Sequence, residues 1–298
     1  MASTESQDVP VHIIAAEGDL ILAVGSPVKV RLHVSSEVLK NTSPVFSTLL
    51  SPHFREGQAL PSAEVPTSIK LPEDLPDGMT YLCKLLHGKE VEQLSLCPKT
   101  EDLLQAAIAA DKYAAMPVLQ LQMQSWLYAA LDDLEPVPCE EKLSRIACIA
   151  YLARHKRAFA KATRRLILDC TGNFDRSGDG ITLSDYMPPR VFEAVSYCRL
   201  RAWKKIVMEV PLLQFGHDDD VDRDEAIADA FQSDAVGWAG EKRTIADTAF
   251  CILNIRGLVD AHEALSLSAS TQDGCSGLCV QCVLDGGYLT TACSKEDH

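Results

Sequence analysis

Four stretches of this 298-residue chain hold side chains whose types and spacing could do chemistry. DRSGDG, Asp175 to Gly180, begins as a calcium loop does. Asp175, Ser177 and Asp179 alternate as ligands would, and Gly180 stands at the sharp turn. The remainder departs from that pattern: Ile181 comes one place early, and Tyr186 occupies the twelfth position, where a bidentate Glu is needed. A polar loop between helices accounts for these residues. In the tail, DGCSGLCVQC places Cys275, Cys279 and Cys282, with Cys293 further on and His298 last. Four thiolates would suit zinc, and C-x3-C-x2-C is near zinc-ligand spacing, but paired C-x2-C knuckles are absent. The competing reading is a set of thiols on a helix that also carries Leu278, Val280 and Leu284.

RHKRAFAKATRR, Arg154 to Arg165, holds six Arg or Lys among twelve residues. A nucleic-acid or acidic-partner patch has that composition. So does the wet face of a helix whose apolar face is Phe159, Leu166 and Ile167, and this is the reading adopted. HDDDVDRDE, His217 to Glu225, packs five Asp and one Glu together, which marks a solvated linker before it marks a cation site. There is no glycine-rich phosphate loop, no nucleophile elbow and no H-E-x-x-H. No catalytic residue is assigned, no cofactor is expected, and the chain reads as a protein that is not an enzyme.

Composition narrows the partners. A net charge of -14 argues against general nucleic-acid binding, which needs a basic surface. No run approaches the ~18 apolar residues of a membrane helix. The polar, acidic start MASTESQDVP is not expected to be a secretory signal. Eleven scattered cysteines are then expected to be reduced thiols in an intracellular protein of the cytoplasm or nucleus.

The elements that would position any site lie mostly in the first half. Val28, Val30, Leu32 and Val34 alternate with Lys29, Arg31 and His33, the period of a half-buried strand. Leu20 to Val24 is a short apolar run, and Gly25-Ser26-Pro27 is a turn signal, so the two segments predict a β-hairpin. Ser35 and Ser36 can cap a short helix, Glu37 to Lys40. Ser43 can cap a second, with Pro44 at its first position, where the missing N–H costs nothing. Val45, Phe46, Leu49 and Leu50 are expected on its buried face, with Phe54-Arg55-Glu56 on the surface just beyond. Ser68 to Asp74 reads as a strand. Three helices follow: one opened by Asp77 and stopped by Gly88, one opened by Thr100 with Glu101 and Asp102, and one opened by Pro117.

The order hairpin, helix pair, strand, three helices carries a resemblance. GDLILAV, VKVRLHVSSEVLKNTSPVFSTLL, FREG, IKLPED, MTYLCKLLHG and LLQAAIAADKY followed by QSWL together resemble the BTB/POZ domain over Asp19 to Leu131. The likeness is greatest to the single-BTB proteins of filamentous fungi. It implies an α+β fold, a small β-sheet covered by helices, and a protein-interaction role. BTB domains that recruit cullin scaffolds often carry an aromatic or aliphatic residue, any residue, then Glu after the short helix. Phe54-Arg55-Glu56 is similar, so the resemblance implies Phe54 and Glu56 as a partner-contact pair: an exposed anchor with a carboxylate to fix its orientation. The alternative is that Phe54 folds back onto its own domain and Glu56 is a solvated loop acid. A departure concerns Asp19. In dimeric members a Lys near the matching Asp lies at the dimer interface, whereas this chain has Ser35-Ser36. Asp19 is thus a possible dimer-interface position that lacks the family's partner, or a cap of the hairpin.

The expected organisation is a lead at 1–16, a BTB/POZ domain at 17–131, a linker at 132–139, an α-helical region at 140–265 and a loosely ordered, cysteine-containing tail at 266–298. In that helical region Glu140 to Arg154, His155 to Asp169 and Pro188 to Val210 show helical periodicity. The expected function is protein–protein interaction, one form of which is a substrate adaptor for a cullin-type ubiquitin ligase. The alternative is a self-associating scaffold or regulatory protein with no ligase link. A third reading is zinc binding through the tail cysteines. The oligomeric state is left open.

Overall fold

A computed structural model describes residues 9–58, 66–94, 98–134, 139–170, 180–198 and 278–285. The chain divides into two compact units: Met1–Leu134 with Cys148–His155, and Glu135–Ala147 with Lys156–His298. Among the described residues the structure is mixed α and β, with one small sheet and many helices.

The first unit is built on the expected hairpin. β2 (Leu20–Val24) and β3 (Val30–Val34) pair antiparallel, with Leu22 opposite Leu32. Leu20, Leu22, Val24, Leu32 and Val34 are fully buried, while Arg31 and His33 are only half-buried. That is the alternation of a sheet with one face on a core. β4 (Thr67–Leu71) adds to the other side of β2, parallel, with Ile69 beside Leu22. A fourth strand, β1 (Val11–Ile13), pairs parallel with β3, giving the order β1-β3-β2-β4. The sequence places these residues in the N-terminal lead, because three residues are too few to show a period.

Helices accompany the sheet in this unit. α1 (Ser36–Thr42) is capped by the Ser35 hydroxyl, and α2 (Pro44–Leu49) by the Ser43 hydroxyl, with Pro44 in the first turn. A one-turn α3 (Arg55–Gln58) follows. α4 (Pro76–Leu86) starts one residue before Asp77, with Pro76 in its first turn, so Asp77 sits at the positive helix end and is not the cap. α5 (Thr100–Lys112) packs on α4, and at Gly78 a Cβ would lie 2.7 Å from the Gln105 carbonyl oxygen. Only glycine allows that approach. α6 (Met116–Asp132) buries Leu119, Met123, Trp126, Leu127 and Ala130. The core combines these helix faces with the buried side of the sheet.

α7 (Glu140–Leu152) begins in the second unit, and its residues from Cys148 onward belong to the first. α8 (Lys156–Asp169) buries Phe159, Leu166 and Ile167 together with Ala158, Ala162 and Thr163, the face its sequence predicts. Its Arg and Lys side chains occupy the wetter positions. Residues 189–198 are helical, with Val191 and Val195 buried. A short helix in the tail, α9 (Val280–Asp285), packs on α8. There the Leu278 N–H donates to the buried Thr163 hydroxyl at 2.8 Å, and Leu278, Val280 and Val283 are buried. At least this part of the tail, expected to be loosely ordered, is therefore packed.

Candidate partner-contact site

The stretch from Ser43 to Gly57 has two opposite jobs, divided between two phenylalanines. Phe46 is fully buried. Its ring stacks on Tyr113 with centroids 4.2 Å apart and planes 10° from parallel. Ser43 caps α2 by accepting the Phe46 N–H at 3.1 Å, and its own hydroxyl donates to the Tyr113 carbonyl. The Tyr113 hydroxyl in turn donates to Asp74 at 3.0 Å, and Lys112 pairs with the other oxygen of Asp74 at 2.9 Å. Burial, followed by the Asp74 charge, pushes the Tyr113 phenol well above its ordinary range. Three pieces of sequence read separately, SPVF, PED and DKY, thus close on one another around a buried carboxylate. A lone buried Asp would be costly, and this one is hydrogen-bonded and paired.

Phe54 is 45% exposed. It stands in a tight reversal between α2 and α3. The Phe54 N–H donates to the Ser51 carbonyl, and the Phe54 carbonyl accepts from Gln58. Gly57 closes the reversal: a Cβ there would lie 2.0 Å from the Ser51 carbonyl oxygen and 2.6 Å from that of Leu50. No side chain fits, so the FREG glycine is required for α3 to fold against the end of α2. The result is a knob that presents Pro52, His53, Phe54 and Arg55 to solvent. Glu56 lies on α3, and its side chain is outside the described set. Val45 is 39% exposed, contrary to the expected buried face. The face of α2 is narrower than four residues: Phe46 and Leu50 are buried and Leu49 half-buried, because a six-residue helix offers a core only one or two contact turns.

Asp19 also departs from expectation. It does have a partner within its own chain, and that partner is Ser36. The Ser36 N–H donates to one carboxylate oxygen at 2.7 Å and the Ser36 hydroxyl to the other at 2.6 Å. Burial pushes the Asp19 carboxyl up. The Ser36 hydrogen bonds, its own backbone N–H and the Lys40 charge outweigh that and hold it below the usual carboxylate range. Asp19 therefore caps the start of α1, satisfying an N–H that the helix leaves free.

Next to it, His87 ties the end of α4 to the start of α1. Its Nδ1 contacts the Cys83 carbonyl at 2.7 Å and its Nε2 accepts the Ser35 N–H at 3.0 Å. Only the neutral imidazole with the proton on Nδ1 serves both partners. Burial and then the Lys89 charge keep His87 below its ordinary value, against the opposing pull of the Cys83 carbonyl.

Most of the other chemical candidates fall outside the described residues. Asp175, Ser177 and Asp179, the acidic run at 217–225, and Cys275 and Cys293 all lie outside the described residues. Cys279 precedes α9 and Cys282 lies on it, both half-buried. Among the described residues no group of three or more His, Cys, Asp or Glu is gathered as metal ligands would be. Burial, then the charge of Asp74 for Cys83 and of Asp111 for Cys148, pushes both thiols up to about 12, so neither is nucleophilic at neutral pH. No helix among the described residues is long and apolar enough to cross a membrane. A comparison with protein-family models finds no match, and neither does a search of curated proteins.

Gly57 reads in the sequence as the end of the helix element, with no sign that it presses on Ser51, and neither the Asp74–Lys112–Tyr113 cluster nor the role of His87 is legible there. FREG itself held a signal for Gly57, a glycine at the end of a short polar turn. Nothing local marks Asp74 as the partner of residues 38 and 39 positions away.

Proposed function

We propose that the chain is a protein-interaction module whose contact is built around Phe54, in the manner of the BTB/POZ domains that Asp19 to Leu131 resemble. One observation carries this reading. A large aromatic ring is held near water, 45% exposed, by a turn that only Gly57 permits. The core is completed without it by Phe46 and Tyr113. Such an anchor contributes roughly 2 kcal/mol or more once buried in a partner pocket. Glu56, on α3 beside it, adds orientation and encounter rate more than net affinity. The partner class is a protein, and the specific form is an adaptor that presents a substrate to a cullin-type ligase scaffold in the cytoplasm or nucleus. The role is one of binding without catalysis. The second unit would then be the part that meets the substrate.

The test is affinity capture from cell extract followed by mass spectrometry, comparing the full chain with its Phe54→Ala/Glu56→Ala double variant. A cullin scaffold retained by the parent and lost by the variant supports the adaptor. Equal capture by both removes the knob from the interface. Capture of other proteins, with no scaffold among them, removes the ligase link.

A further inference from the structure

Leu278, Val280 and Val283 are buried where α9 packs on α8, and Cys279 and Cys282 beside them are half-buried. Both are reduced thiols. No other two of the eleven cysteines stand so near in sequence. The Cys279 carbonyl accepts the Val283 N–H at 3.0 Å, so Cys279 is the residue that opens α9 and Cys282 is its third residue. The side chain of an opening residue reaches over the backbone of the second and third helical positions. Residues three apart inside a helix hold their Cβ atoms roughly 5–6 Å apart, too wide for a disulfide, which needs about 3.8 Å. An opening residue is released from that spacing, because its φ and ψ are not helical. A C-x2-C pair in this position can therefore close without unwinding the turn.

We infer that Cys279 and Cys282 form a reversible dithiol–disulfide site, oxidised by low-molecular-weight disulfides, that braces α9 on α8. Access sets this pair apart. Cys83 and Cys148 have no exposed surface, and Cys170 keeps only 5%. Cys139 is exposed and Cys198 half-buried, but neither has a second cysteine close by in sequence. The exchange takes two steps. One thiolate of the pair attacks a sulfur of glutathione disulfide, whose S–S bond breaks, and one glutathione leaves as its thiolate. The second thiolate attacks the cysteine sulfur of the mixed disulfide, the Cys279–Cys282 bond forms, and the other glutathione leaves. Two electrons pass to the reagent, which ends as two thiols carrying the two protons the cysteines gave up. The bond spans the first turn, between the Leu278 N–H held by Thr163 and the buried Val283. A six-residue helix is too short to hold by itself, so a covalent brace there fixes the tail against α8.

The test equilibrates the full chain, with a chelator present, in glutathione buffers of rising disulfide content. Acid-quenched, alkylated samples are mapped by mass spectrometry with fragmentation. A Cys279–Cys282 disulfide should accumulate and revert fully with dithiothreitol. It should persist in Cys275→Ser and Cys293→Ser and be lost in Cys279→Ser and Cys282→Ser, each of which should keep the parent's circular dichroism. In urea the ratio of this disulfide to the dithiol should be at least about tenfold lower in the same buffer, because the unfolded chain does not position the pair. Amide exchange over 278–285 should slow on oxidation at least about threefold. Mixed disulfides alone, pairing with Cys275 or Cys293 instead, or a ratio unchanged by urea would overturn the inference. Exchange that is equal or faster after oxidation would do the same.

Discussion

Phe46 and Phe54 lie eight residues apart, and the structure assigns them opposite roles, so truncating each to Ala gives a matched pair. Phe46 has no exposed surface and stacks on Tyr113. Phe46→Ala should cost about 3–5 kcal/mol, from lost transfer energy and the cavity left behind. Phe54 keeps 45% of its surface in water. Full burial of such a side chain is worth about 1.5–3 kcal/mol, so the half that is covered here is worth about 1 kcal/mol. No cavity is added, because the site is open to solvent. A unit of this size shifts its Tm by roughly 3–5 °C per kcal/mol. Phe46→Ala should therefore lower Tm by roughly 10–20 °C, and Phe54→Ala by less than about 5 °C. Thermal melts followed by circular dichroism at one low concentration decide it. If Phe54→Ala melts as low as Phe46→Ala, the ring belongs to the core and the knob is not an anchor.

Three further outcomes follow from local geometry. His87 is held neutral in the folded state, below its ordinary value of 6.5. Its contribution to stability is thus complete above that pH and is lost as pH falls toward the folded value, because the unfolded chain takes up the proton first. Urea midpoints of the parent should therefore fall below about pH 6.5 more steeply than those of His87→Gln. A parallel decline in both would remove His87 as the cause. Tyr113→Phe leaves one oxygen of the buried Asp74 without its donor and should cost about 1.5–3 kcal/mol by urea denaturation. Ala114 sits just past α5 at φ 51°, where the Ala115 N–H reaches the Ala110 carbonyl at 2.8 Å. An L-residue is strained in that conformation and glycine is not, so Ala114→Gly should raise stability by up to about 1 kcal/mol in the same assay.

What the sequence determined by itself is what depends on neighbours within a turn or a strand. The alternation Val30, Leu32, Val34 placed β3. Ser43 with Pro44 placed the start of α2, and the stripe Phe159, Leu166, Ile167 placed the inner face of α8. These signals are local, because side-chain period and cap chemistry act over a few residues. Even there, short elements escaped. β1 has three residues and exists only because β3 offers it an edge. Helical spacing puts Val45 on the inner face with Phe46, yet it faces water because α2 is too short to turn that side toward the core. Only the tertiary structure decided that Asp74 would meet Lys112 and Tyr113, that Asp19 would be satisfied by Ser36, and that Gly57 would press against Ser51. Each of these depends on a distance between groups brought together by the folding of everything between them. A carboxylate, a glycine or an exposed ring looks the same in the sequence whatever stands opposite it. The exposure of Phe54, on which the proposed function rests, is of this second kind: it follows from where Phe46 and Tyr113 completed the core, and from a turn that closes only on glycine.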